Sequence, residues 1–146
     1  MLTTAGCSAP PAVRSFVHWV ADPVAASVPQ VRARVRATLE GWRVPCGAAD
    51  VLLLAVSELV GNVVRHAGAG RMRVGVAVGG GWLRLEVADR GAGLPRLPAP
   101  RAEIDPDSED GRGLLIVQLM TAELGGELSL MVHEFGKSVR VRIPAT

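Results

Sequence analysis

Aromatic rings are scarce in this chain. They make up 3% of its 146 residues and tyrosine is absent, so the bases of a single-stranded nucleic acid would find few stacking platforms. A basic surplus is missing too, since the net charge is only +2. Residues 1–73 hold eight arginines against four acids, and residues 74–146 hold eight basic residues against ten acids. Neither half argues for phosphate-backbone binding, and no direct nucleic-acid partner is expected. Cysteine occurs only as Cys7 and Cys46, too few and too badly spaced for a disulfide framework or a zinc site, which suits a reducing compartment. His18 and His133 have no companions at metal-ligand spacing, and zinc needs three or four converging ligands. They read as incidental surface or strand residues. Long apolar runs are lacking as well: stretches such as Val51 to Val56 fall far short of the roughly 20 residues that span a bilayer. The N-terminus shows neither a basic nor an apolar signal-peptide region. A soluble cytoplasmic protein without membrane partners is expected.

What is present is ordinary globular material, with 49% hydrophobic and 21% charged residues. A chain of this length fits one domain able to bury roughly 70% of its unfolded surface. Residues 1–12 are mostly small and carry no core-forming pattern, so they read as a disordered tail before a single domain over 13–146. Val13 to Val20 is β-prone and bounded by Ala-Asp-Pro, which predicts a first strand. Val28, Val31, Val35, Leu39 and Trp42 repeat at helical spacing, bordered by Arg32, Arg36 and Arg43. Those arginines either cover the edge of the apolar face or engage an acidic partner. A second helix is expected from about Gly47 to Ala67, stopped by Gly68. At about 100° per residue, Leu52, Val56, Leu59, Val60, Val63, Val64 and Ala67 share one face of it, with Glu58, Asn62, Arg65 and His66 on the next.

Two alternating runs, from Met72 to Val78 and from Leu83 to Val87, joined by Gly79-Gly80-Gly81, predict a hairpin. Residues 94–110 contain four prolines and five acids, so a long loop without packed structure is expected there, of the kind that serves as a lid. Leu114 to Met120 reads as a buried helix opened by the Gly111-Arg112-Gly113 turn. Glu127 to Val132 and Ser138 to Ile143, with Gly136 in the turn, predict a closing hairpin. Helices layered on one face of a mainly antiparallel sheet follow from this order.

Three segments carry chemistry. Asn62 lies one turn after Glu58, so both project from neighbouring points of one helix face. A carboxamide oxygen suits Mg²⁺, which takes its other oxygens from water and phosphate, and a carboxylate beside it can accept a proton. The same spacing also fits a solvated helix face. Asp89, Gly91 and Gly93 close a strand: the carboxylate can accept from an exocyclic amino group, and the glycines let backbone approach a flat ring. A strand-terminating turn fits equally. Free amides at a helix start near Gly111, Arg112 and Gly113 can hold phosphate, with Arg112 adding charge, although a plain helix entry has the same sequence. The segment lacks the Gly-Lys-Ser/Thr ending of a P-loop. No Ser-His-Asp set stands out, because Ser57 and Glu58 diverge on the helix.

In this order, SELVGNVVRHA (57–67), DRGAGLP (89–95) and DGRGLLIV (110–117) resemble the N box and two glycine boxes of the GHKL, or Bergerat-fold, ATP-binding superfamily. Within it the chain most resembles bacterial anti-sigma factor serine/threonine kinases. The resemblance implies an α+β fold, a two-layer α/β sandwich with a mainly antiparallel mixed sheet and helices on one face. It implies ATP and Mg²⁺ as cofactors, Asn62 as the metal residue, Glu58 as the general base and Asp89 as the reader of the adenine amino group. Gly91, Gly93 and Leu94 would shape the adenine pocket, and Arg65 and His66 would lie near ribose or phosphate. Gly111, Arg112, Gly113 and Leu114 would cradle the phosphates beneath the 94–110 lid. The implied activity is phosphorylation of an anti-sigma-antagonist protein, sequestration of a sigma factor, or both, by a protein for which a homodimer is plausible. The alternative is a nucleotide-binding regulatory module that holds a partner without phosphorylating it.

Overall fold

Branched apolar residues alternating with arginine and glycine favour extended backbone, and apolar residues three or four apart favour helix. Both patterns are realised in the computed structural model, which describes residues 13–66, 70–90, 109–133 and 136–145. The elements run β1 (Val13–Ala21), α1 (Ser27–Gly41), α2 (Cys46–His66), β2 (Met72–Gly79), β3 (Trp82–Asp89), α3 (Glu109–Glu123), β4 (Glu127–His133) and β5 (Gly136–Pro144). The expected tail at 1–12 and the segment 91–108, which holds most of the expected lid, lie outside the described residues.

The five strands form one sheet in the order β1-β2-β3-β5-β4. Each of its four pairings is antiparallel. Between β2 and β3, Gly79 pairs with Trp82 and leaves a two-residue turn, Gly80-Gly81, with both residues at positive φ. That is the backbone that matches strand twist in a tight hairpin, and glycine adopts it without a Cβ clash. In β3 the alternation is strict: Leu83, Leu85, Val87 and Asp89 are buried, while Trp82, Arg84, Glu86 and Ala88 are partly open on the other face. Met72, Val74 and Val76 of β2 and Val139, Val141 and Ile143 of β5 join the buried set.

All three helices lie on that buried face. From α1 come Val31, Val35 and Leu39, and from α2 Leu52, Val56, Leu59, Val60 and Val63; Leu114 and Val117 of α3 complete the core. The apolar length of α2 would suffice to cross a membrane by composition, which the shorter run from Val51 to Val56 does not suggest. Its apolar surface is instead covered by the sheet and its neighbours, with nine of its residues buried. Midway along, α2 is braced from α1: Arg32 donates to Ser57 Oγ over 2.5 Å and to the Leu53 carbonyl over 3.4 Å. Arg32 thus works as internal packing, whereas Arg36 and Arg43 are exposed.

The structure corrects three expectations. Helix α3 starts at Glu109, not after a glycine turn, so residues 111–113 lie inside its first turns and 109–110 leave the expected loop. Acids at a helix start favour its dipole, and burial of Leu114, Leu115 and Val117 outweighs the roughly 1 kcal/mol that each mid-helix glycine costs. α3 is also less buried than its composition predicts: Ile116 is 42% and Leu119 51% exposed, because α2 and the sheet cover only one side of it. Gly136, finally, is not a turn residue. It opens β5 opposite His133, and a Cβ there would lie 2.2 Å from the Asp89 carbonyl oxygen. Close approach of β5 to β3 is what requires glycine.

Candidate functional site

The second helix delivers the first group of side chains. Glu58 and Asn62 are half-buried, Arg65 and His66 exposed at its C-terminal end. Glu58 faces α3 at Gly113: a Cβ on Gly113 would fall 1.8 Å from Glu58 Oε2 and 2.2 Å from its Cδ. The glycine therefore makes the space in which the carboxylate sits. One turn on, Arg65 Nη2 donates to Asn62 Oδ1. Gly61, just before Asn62, has an ideal Cβ position 3.4 Å from Arg65 Nη1, so the guanidinium lies along this face.

The sheet delivers the second group. Asp89 closes β3 on the helix-facing side and is 8% exposed, as is Lys137, its register partner at the start of β5. Lys137 Nζ lies 3.8 Å from Asp89 Oδ1. Sequence reasoning misses Lys137, although composition marks it: of sixteen basic residues it is the one lysine. Side chains of α2 pack against both β3 and β5. The two groups thus border the same side of the sheet.

The third group is only partly assembled. The N-cap residue and the first three residues of an α-helix have N–H groups without intrahelical partners, and among the described residues of α3 these are Glu109, Asp110 and Gly111. Gly111 can therefore offer its backbone amide to an anion, while the side chain of Arg112 is not among those described. The amides of Arg112 and Gly113 lie too deep for that role, and Leu114 is a core residue at 2% exposure. Gly91, Gly93 and Leu94 lie outside the described residues.

The donors suit an adenine nucleotide. Asp89 supplies a buried acceptor, Lys137 a buried donor, and the start of α3 an anion-accepting end. They also suit Mg²⁺, with one condition. Among the described residues no cluster of three or more His, Cys, Asp or Glu can cage an ion, which fits a metal held mainly by phosphate and water. Asn62 Oδ1 is a fitting oxygen ligand once Arg65, exposed and long, swings away. Two clefts of about 350 and 220 Å³ lie elsewhere, on the outer face of the sheet around Ala77, Arg84 and Arg140. Glu58, Asn62 and Asp89 all lie instead on the helix-facing side.

Comparison with known proteins agrees with this geometry. The family described as "Histidine kinase-like ATPase domain" matches residues 21–143. No curated protein gives a match. Among solved structures, the RsbU and RsbW domains of Rv1364c from Mycobacterium tuberculosis superpose with a TM-score of 0.66 at 21% identity, covering 89% of this chain and 32% of that one. The histidine kinase domain of the Erythrobacter litoralis EL346 blue-light activated histidine kinase gives 0.55 at 24% identity, over 82% and 60%. Full-length ShkA in complex with AMPPNP gives 0.50 at 25% identity, over 66% and 22%. The chain thus spans about a third of the first of these structures and three-fifths of the second.

Proposed function

Since the chain belongs to the histidine kinase-like ATPase domain family, we propose that it is an ATP- and Mg²⁺-dependent regulatory protein serine kinase that acts in the cytoplasm on an anti-sigma-antagonist partner. The observation that carries this reading is the lodging of the Glu58 carboxylate against Gly113, on the helix face that also bears Asn62. A module that only binds nucleotide has no chemical need of a base held there. The likeness in fold to a structure containing an RsbW domain supports the regulatory half of the reading. The AMPPNP complex of ShkA supports the nucleotide half.

In this reading Asp89 accepts a hydrogen bond from the adenine amino group, and the amides opening α3 hold phosphate oxygens. Glu58 takes the hydroxyl proton of the partner's serine as the serine oxygen bonds to the γ-phosphorus and ADP departs with the bridging oxygen. Arg65, released from Asn62, turns toward the phosphates. Mg²⁺, when bound through Asn62, supplies neutralisation of phosphate charge.

Incubation with γ-labelled ATP, Mg²⁺ and candidate antagonist proteins, followed by mapping of the labelled residue, tests the proposal. Label on a partner serine supports it; ATP binding without label leaves the binding-module alternative in its place. Gly113→Ala gives a sharper local test. Alanine raises helix propensity by about 1 kcal/mol, and the atom it strikes is the far end of a flexible side chain. Melting temperature should hold or rise, while a displaced Glu58 lowers transfer by about a hundredfold. Unchanged transfer in labelled-ATP assays would refute the role given to this contact.

A further inference from the structure

The chain has a single lysine, and it is buried at the start of β5 beside the carboxylate that closes β3. Lysine is almost never buried unless paired, and burying an ammonium is costly. The pairing here is incomplete. At 3.8 Å the Lys137 Nζ to Asp89 Oδ1 separation exceeds hydrogen-bond length, so the two groups meet as opposite charges and not as donor and acceptor. Among the described residues Nζ makes no hydrogen bond, leaving its three N–H donors for a further acceptor.

Two more observations fix where those donors lie. Asp89 and Lys137 are register partners on the helix-facing side of β3 and β5. The strands are held this close by Gly136, where any Cβ would meet the Asp89 carbonyl oxygen at 2.2 Å. An acceptor and a donor are thus displayed side by side, at a fixed offset, by two hydrogen-bonded strands. A purine edge is built the same way. Adenine presents an amino donor at N6 next to a ring-nitrogen acceptor at N1, while guanine presents the reverse at the same two positions.

We propose that Lys137 is a base-reading residue of the nucleotide site, donating from Nζ to adenine N1 while Asp89 accepts from the N6 amino group. The inference rests on the ATP-binding reading above and adds to it the group that selects the base. Guanine in the same orientation would set O6 against the carboxylate and N1–H against the ammonium, opposing like with like at both positions. Lys137 thereby favours adenine and disfavours guanine through one donor.

The test is calorimetric titration of the full chain with ATP, GTP and the ATP analogue whose N1 is replaced by C–H. Wild type is expected to bind ATP at least tenfold more tightly than either of the others, roughly the discrimination of one good base contact. In Lys137→Met, ATP and the N1-lacking analogue should bind within about twofold of each other. If Lys137→Met still prefers ATP over the analogue, or wild type shows no preference, N1 is not read by this lysine and the inference fails. Tighter binding of GTP than ATP overturns it as well. Absence of any ATP binding by wild type is a different result: the ATP-binding reading itself then fails, and this inference with it.

Should Lys137→Met not fold, as judged by circular dichroism, the single lysine supplies its own probe. In protein labelled with ¹⁵N at lysine Nζ, ATP should shift the one side-chain ammonium resonance and the N1-lacking analogue should not. Equal shifts from both would overturn the assignment.

Discussion

Glu58→Gln lowers phosphoryl transfer to the partner serine by roughly 10²- to 10⁴-fold, the usual contribution of a positioned general base. ATP affinity meanwhile stays within about twofold of wild type, because glutamine keeps the shape and only the basic oxygen is lost. The substitution is nearly isosteric, so the space opened by Gly113 still fits the side chain. Single-turnover labelling separates transfer from binding, and calorimetry measures the binding. A variant that labels the partner as fast as wild type would remove Glu58 from the chemistry. Comparison with Gly113→Ala then becomes informative: both lose transfer, one by removing the base and the other by moving it.

The second large effect is on stability and binding together. Asp89→Ala leaves the Lys137 ammonium buried without its counter-charge, a change that costs about 3–5 kcal/mol. In a domain of this size the melting temperature should fall by about 10 °C or more. Added ATP, which should raise the melting point of wild type by mass action, should leave that of Asp89→Ala unmoved. Removing both charges separates the two consequences. Asp89→Leu with Lys137→Met replaces the pair by apolar groups, an exchange that is often neutral or stabilising. Its melting point should return to near the wild-type value while the response to ATP stays absent. Thermal scans with and without nucleotide measure both. Recovery of the ATP response in the double variant would show that Asp89 does not bind the base.

The elements whose packing follows from local spacing were legible in the sequence. Val31, Val35 and Leu39 of α1 and Leu52, Val56 and Leu59 of α2 are buried as their periodicity requires. The hairpin that the flanking alternation predicts is present, with Gly80-Gly81 as its turn and Gly79 still paired in β2. The start of α3 was not legible, because Gly111 and Gly113 read locally as a turn. What overrides them is tertiary: burial of Leu114 and Val117, and a carboxylate from α2 that fills the place of a side chain on Gly113.

The candidate site divides in the same way. Glu58 and Asn62 share a helix face, which spacing reveals. The hold of Arg65 on Asn62 is also local, three residues along the same helix, yet spacing gives no sign of which rotamer the guanidinium adopts. Lys137 is a product of register. It opposes Asp89 only because β5 lies between β3 and β4 in the sheet, an order in which chain neighbours are not all spatial neighbours. Composition alone carried a trace of it.

The buried ammonium also gives the fold a clock. A reagent that acylates amines has one lysine to find in this chain, and in the closed sheet that amine is shielded from bulk water. Acylation there must wait for a reagent to reach the helix-facing side of β3 and β5, so its rate counts openings of that side, much as amide exchange reports local unfolding. Here it watches the two strands that carry Asp89 and Lys137.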